Sequence, residues 1–505
     1  MLPTRDSGKY MRSFTRGINN MKQFLTRYKI GIILWVMIVT YAVYFSLFTI
    51  LRYRTLYAHY FDLGIMHQTV YNTFQALKLG DVNRILELTN PFGQNQITRM
   101  AIHNDILLAF IAPFYFIYSG PETLLIIQSI ILALGGLAVF KITTHVFKDK
   151  IYDNALGLVF TFAYLMYTPM QRANNFDFHA VTLTTTLLLF MFYYWLVKKY
   201  RMSILFFILS LLAKEQVALT TLFFGLFTLT QQAVQKHKHK INYSFLVIVL
   251  SIIWFWLSMK IIIPYFRGGD HFALEYYSDL KNLPNYIFHV DTYRYFLFLM
   301  GPLAFLSLFS PLHFLIALPE FGINLLSNSW NMRNIVFHYT SVIQPFIFIA
   351  AIYGAKNMLA AKSMVVKKAT ADKNRIRILM GLIVCATLLF SYFKGPLPYS
   401  REQEVHPFLY PQKENTDVLY WSQLLENPDI IISATGHIAP LFASRRYLYK
   451  FSENYHLADY VIISVSEATD GWENEKTKPA YERLIKDGRF NMIYKNGNLE
   501  IFKKL

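Results

Sequence analysis

Cysteine, charge and acidic side chains are all scarce in this 505-residue chain. Cys385 is the only cysteine and has no intramolecular partner, which excludes a disulfide scaffold. Charged residues make up 16% of the chain, against roughly 25% in an ordinary soluble domain. The shortage falls on one sign, since 31 Asp and Glu face 49 Lys and Arg and leave a formal charge of +18. What fills the gap is apolar: 54% of residues are hydrophobic and 17% aromatic, a composition that excludes intrinsic disorder. A basic excess of this size suits nucleic acid, an anionic membrane surface, or the orientation signals of an integral membrane protein.

The hydrophobic runs decide among these. Residues 30–51 form 22 residues without a charge, and about 20 suffice to cross a bilayer. Further runs lie near 122–140, 154–170, 180–197, 202–213, 216–234, 242–266, 294–310, 312–328, 338–355 and 378–393, so eleven spans are expected. The basic stretch 1–29 is read as a cytoplasmic tail before a permanent helix, because it lacks small-residue cleavage sites and the first run exceeds a signal h-region. The 13-residue run 106–118, with Pro113 inside, is too short to cross and is read as re-entrant or interfacial.

Charge placement agrees with that count. The tail and the connections 141–153, 198–201, 236–240 and 356–377 together hold 23 basic and 4 acidic residues, and the rest of the chain holds 26 and 27. By the positive-inside rule the N-terminus lies in the cytoplasm and the C-terminus outside. The basic excess therefore encodes orientation and gives no support to nucleic-acid binding. The tract 236–240 alternates Lys and His, and its lysines repel cations, so it reads as a topology signal and not a metal tract.

Chemistry is then expected on the nearly neutral outer face. The first outer loop, 52–121, is long enough to be functional and contains Asp62, His103 and Asp105. A second short loop carries Arg172, Asp177 and His179; a third places Lys214 and Glu215 tightly between apolar runs, where ionisable groups are costly. Arg333 and His338 follow Ser327. From residue 394 to 505 no run can cross a membrane, and 14 basic residues balance 15 acidic ones. Strands near 429–433 and 459–466, helices near 416–426 and 478–486, and a hairpin over 491–503 turning at Asn496-Gly497 predict a soluble α/β domain. That domain has no Gly-rich phosphate loop and no metal-ligand spacing.

An N-terminal helix, a long outer loop with an early acidic residue, a second loop with another, many spans and a terminal extracytoplasmic domain resemble the GT-C superfamily of membrane glycosyltransferases. More closely, Phe61-Asp62-Leu63-Gly64, Phe178-His179, Lys214-Glu215, Leu318-Pro319 with Asn324-Leu325-Leu326-Ser327, and His338-Tyr339 are similar to an uncharacterised prokaryotic membrane family grouped with GT-C. Ser444-Arg445-Arg446 and the strand at 459–463 extend the similarity weakly into the C-terminal domain. The resemblance implies an α-helical polytopic membrane protein of about 11 spans with a C-terminal α/β domain. It implies transfer of a sugar from a polyprenyl-phosphate donor to a glycan, lipid or protein acceptor. Asp62 and Asp177 would be catalytic, and Lys214, Glu215, Arg172, His179, Arg333 and His338 would bind phosphate or substrate. A divalent metal is compatible with this chemistry, which needs a carboxylate for the acceptor and cations for the departing phosphate.

Plainer readings stand beside these. Asp62 suits a helix N-cap, Asp177 a cap for a helix starting near Ala180, and Lys214-Glu215 a paired charge at a loop apex. His103 and Asp105 read as interfacial polar residues, and Glu320, within an apolar run, has no assigned role. A transporter, or a non-catalytic lipid-binding assembly protein, would share the spans and basic connections. The sequence has no convincing internal repeat, and its ionisable residues gather at one face and not at mid-membrane, as transporter sites do.

Overall fold

The computed structural model describes residues 7–148, 152–234, 241–363, 369–402 and 413–505. The basic tract at 236–240 lies outside them, as do 1–6, 149–151 and 364–368 within other expected basic segments. The described chain is mainly helical. Among the described residues, four helical segments are long and apolar enough to cross a membrane: Tyr28–Arg54, Glu122–Val146, Asn242–Arg267 and Lys373–Lys394. Over the most apolar 18-residue stretch of each, 22% of residues are buried in the first and third and 56% in the second, so Glu122–Val146 is central while the other two present apolar faces outward.

The remaining apolar runs fold as shorter pieces, and imino acids explain several of the breaks. Pro169 opens the helix Thr168–Asn175 directly after Asp153–Leu165. Gly301 and Pro302 follow Val290–Met300, and Ala304 and Phe305 then take positive φ. Leu303 and Leu306 are buried at this break, while Phe305, Leu308 and Phe309 are exposed. The 106–118 run forms two short turns, Leu107–Ile111 and Ala112–Phe116, with Pro113 opening the second.

The C-terminal part forms the α/β unit expected from the sequence. After a small hairpin of β1 (Glu87–Thr89) and β2 (Gln96–Thr98), five strands follow: β3 (Ile432–Ala434), β4 (Leu448–Lys450), β5 (Tyr460–Ser464), β6 (Phe490–Asn496) and β7 (Leu499–Lys504). Their order is β4-β3-β5-β7-β6, parallel over the first three and antiparallel over the last three. Gly497 turns the β6–β7 hairpin with φ +57°, which a residue without Cβ adopts at no steric cost. The expected strand through Ser466 stops at Ser464, where a helix, Val465–Asp470, begins.

This sheet shares a core with the first loop. Tyr60, Ile65, Leu88 and Ile102 pack with Ile432, Ala434, Ile438 and Ile501, all buried. Polar ties reinforce the contact: Tyr60 N donates to Gly436 O at 2.8 Å, His67 Nε2 lies 2.8 Å from Ser444 Oγ, and Arg446 forks onto Glu87 at 2.9 and 3.0 Å. The loop bearing Asp62 is therefore held between the helical body and the sheet.

Candidate active site

Asp62 lies within Tyr60–Gly64, a π-helical turn, a geometry frequent at functional sites. The N-cap of this turn is His59, whose ring accepts from Phe61 N, so Asp62 is not a cap. Its Oδ1 instead meets His179 Nε2 at 3.1 Å. The His179 ring stacks on His338 with centroids 3.8 Å apart, and His338 lies beside Tyr339 at 4.4 Å. Lys214 Nζ lies 6.0 Å from the Tyr339 ring centroid. Asp62, His179, Lys214, Glu215, His338 and Tyr339 all line one cavity of about 380 Å³. That volume is within the range of small-molecule sites.

The other carboxylate in that cavity is heavily engaged. Glu215 Oε1 lies 2.9 Å from His103 Nδ1 and 3.1 Å from His271 Nε2, while Oε2 accepts from Asn104 N at 3.0 Å. Burial would raise the Glu215 carboxyl, but the two histidines and the Lys214 charge outweigh it and hold the group well below the usual carboxylate range. His103, Glu215 and His271 present one ligand atom each within 4.8 Å of one another, the donor set of a transition-metal site. Glu215 is therefore the hub of a cluster and more than half of a loop-apex pair.

Asp177 is not among the residues lining the cavity but stands directly behind Asp62. Its Oδ2 accepts from His59 N at 3.1 Å, so it braces the turn that carries Asp62 and does not cap the helix after His179. Burial pushes its carboxyl well above the ordinary range, Arg52 opposing and the Asp62 charge adding to the rise. Its φ of +109° is strained for an Asp, and strain of this kind concentrates at functional sites.

Arg172 and Arg333 lie apart from this group. Both line a second cavity of about 240 Å³ with Arg294, Lys394, Asp291 and Glu402. Arg172 donates to the carbonyls of Lys394 at 2.7 Å and Glu402 at 2.8 Å, pinning the segment after Lys373–Lys394. The Arg333 guanidinium lies 5.0 Å from the centre of the Tyr286 ring.

Sequence reasoning missed two cavity residues, Arg99 and His271. Arg99 is 3% exposed and pairs with Asp105 at 2.8 Å, and its Nη1 has no hydrogen-bond partner among the described residues. A signal existed, because Arg99 stands six residues before an acid in the same loop. His271 follows Gly268-Gly269-Asp270 just beyond a long apolar helix, where a break in the chain returns it to the cavity. His103 and Asp105, read as interfacial, are cavity residues too. Glu320 is buried and accepts from Gln216 at 3.1 Å.

A family described as "Predicted membrane protein (DUF2079)" matches residues 52–501. Among solved structures, the chain is similar to ArnT from Cupriavidus metallidurans bound to undecaprenyl phosphate, with a TM-score of 0.53 and 12% identity over 92% of this chain and 97% of that one. The apo structure of the same protein gives 0.47 and 12% over 87% and 93%. At this identity the likeness is one of fold: a GT-C-like membrane fold with a small C-terminal sheet. No curated protein sequence matches the chain.

Proposed function

Because the chain belongs to the DUF2079 family of membrane proteins and has a GT-C-like fold, we propose that it is a membrane glycosyltransferase that moves a sugar from a polyprenyl-phosphate donor to an acceptor on the extracytoplasmic face. The observation that carries this reading is the meeting of Asp62, His179 and Lys214, from three separate segments, in one cavity. The similar ArnT structure contains undecaprenyl phosphate, the class of lipid phosphate that would carry the sugar and depart in the reaction proposed here.

In this reading the anomeric bond to the lipid phosphate oxygen breaks as the acceptor oxygen bonds to the same carbon. Asp62 takes the acceptor proton, and His179 Nε2–H orients its carboxylate. The phosphate leaves carrying its negative charge, which Lys214 and Arg99 stabilise. Asp177, its carboxyl pushed up by burial, braces the Asp62 turn from behind through His59 N. Residues 30–393 form the membrane domain and 394–505 an extracytoplasmic domain closing over the first loop. His103, Glu215 and His271 are the residues that would hold a divalent cation, which when bound would neutralise phosphate charge.

The test is sugar transfer from radiolabelled polyprenyl-phosphate sugars to membrane acceptors by purified protein. Asp62→Asn is expected to lower the rate at least about 100-fold, in line with loss of general-base catalysis. An Asp62→Asn protein that inserts, melts normally and still transfers at the wild-type rate would refute the assignment. Flux of substrate into vesicles without transfer would favour a transporter.

A further inference from the structure

A second histidine cluster lies outside the cavity, at the seam between the first loop and the C-terminal sheet. His59, His437 and Glu467 place one ligand atom each within 4.8 Å of one another. His59 Nε2 is buried, lies 4.0 Å from Glu467 Oε1 and has no hydrogen-bond partner among the described residues. The His59 and His437 rings meet edge to face with centroids 5.0 Å apart.

Each group is oriented from behind. His437 Nδ1 lies 3.1 Å from Ala58 O, and a proton donated there leaves Nε2 as a bare lone pair, the arrangement that backs metal-bound histidines. The Glu467 carboxylate accepts from His437 N at 3.1 and 3.3 Å, which fixes its direction. Gly436 keeps the space open: a Cβ there would stand 2.1 Å from His59 Nε2 and 2.8 Å from Glu467 Oε1.

We propose that His59, His437 and Glu467 form a divalent transition-metal site, of the zinc class, that fastens the C-terminal sheet to the turn carrying Asp62. Two imidazole nitrogens and one carboxylate oxygen match a borderline-soft cation with water completing the shell. Calcium and magnesium, which take oxygen ligands, do not suit this set. Tetrahedral zinc with bonds of about 2.0–2.1 Å holds its donors roughly 3.4 Å apart. The 4.0 Å between His59 and Glu467 must therefore close by about 0.6 Å. Binding through Nε2 also moves the His59 proton to Nδ1, at the expense of the 3.3 Å contact from Phe61 N. The nearby Lys450 ammonium, which opposes a cation, is paired with Glu473 and lies 4.3 Å from the centre of the Phe61 ring.

The site would act on the cavity through one bond. His59 N donates to Asp177 Oδ2, directly behind Asp62, so fixing the His59 ring fixes the backbone of the Asp62 turn. This inference is independent of sugar transfer, because its readout is metal binding. The full chain, purified in detergent and stripped with chelator, is titrated with Zn²⁺ alone in a Glu215→Gln background, which disables the cavity cluster. One equivalent is expected to bind and to raise the melting temperature. Adding His437→Gln or Glu467→Gln is expected to weaken binding at least tenfold and abolish the thermal shift. Co²⁺ in the Glu215→Gln protein is expected to give visible d–d bands, a readout that needs no substitution in the cluster itself. Unchanged Zn²⁺ affinity in the cluster variants, or a featureless Co²⁺ spectrum, would overturn the proposal.

Discussion

His67 shows how far burial alone can set a residue's chemistry. It sits on the helix Ile65–Leu79 at 0% exposure, with Tyr115 OH 2.7 Å from Nδ1 and Ser444 Oγ 2.8 Å from Nε2. Burial pushes the ring down to about 3, so it is neutral when folded and takes up a proton near 6.5 only when unfolded. A depressed histidine gives stability that is complete above about pH 6.5 and is lost as pH falls toward 3. The full effect is on the order of 5 kcal/mol. His67→Gln, which cannot titrate, is therefore expected to flatten the decline in melting temperature between pH 7 and 5. An acid arm as steep as that of the parent would show that His67 does not govern it. Asp177 shifts the opposite way, since the same desolvation that lowers the His67 ring raises its carboxyl.

At the scale of elements, close approach between helices explains sequence features that periodicity does not. Gly135 lies midway along Glu122–Val146, and a Cβ there would meet Tyr164 OH at 2.1 Å and Thr186 Oγ1 at 2.7 Å. Tyr164 OH donates to Leu132 O at 3.0 Å, so the ring is anchored and cannot swing aside. Gly135→Ala should destabilise the fold by roughly 1–3 kcal/mol through overpacking. Gly322→Ala, with nothing within 4 Å of its Cβ, should be neutral, and the two melting temperatures compared in one detergent decide the matter. The motif Ser444-Arg445-Arg446 gains a reason at the same scale. Ser444 meets His67, Arg445 donates to the carbonyls of Phe442, Ile430 and Leu425 at 2.6 Å each, and Arg446 clamps Glu87.

For the whole molecule, the distribution of charge predicts orientation. If basic connections mark the cytoplasmic side, reporters fused after residue 505 are expected to be active only outside the cytoplasm, and reporters at 198–201 only within it. A cytoplasmic C-terminus would invert the topology and put the cavity on the wrong face for an extracytoplasmic reaction. The same paucity of charge that marked the membrane runs also made Asp62, Lys214 and Glu215 stand out, and these three do line one cavity. Arg172 and Arg333 stood out equally in the sequence, yet they line a different cavity, because charge in a loop says nothing about which neighbours the loop will find.

The sequence by itself determined the membrane class, the turn at Gly497 and the loops in which ionisable residues gather. Those features depend on local composition: apolar length against bilayer thickness, scattered charge against apolar runs, and a backbone that only glycine adopts freely. Tertiary structure alone decided that Arg99 and His271 join Asp62, that Asp177 braces it from behind, and that His59 meets His437 and Glu467. Except for Arg99, which shares the first loop with Asp62, these meetings join segments far apart in the chain, set by packing of the first loop between helical body and sheet. No spacing within a single segment encodes that packing, which is why a C-terminal domain without metal-ligand spacing of its own still completes a cluster with a histidine from the first loop.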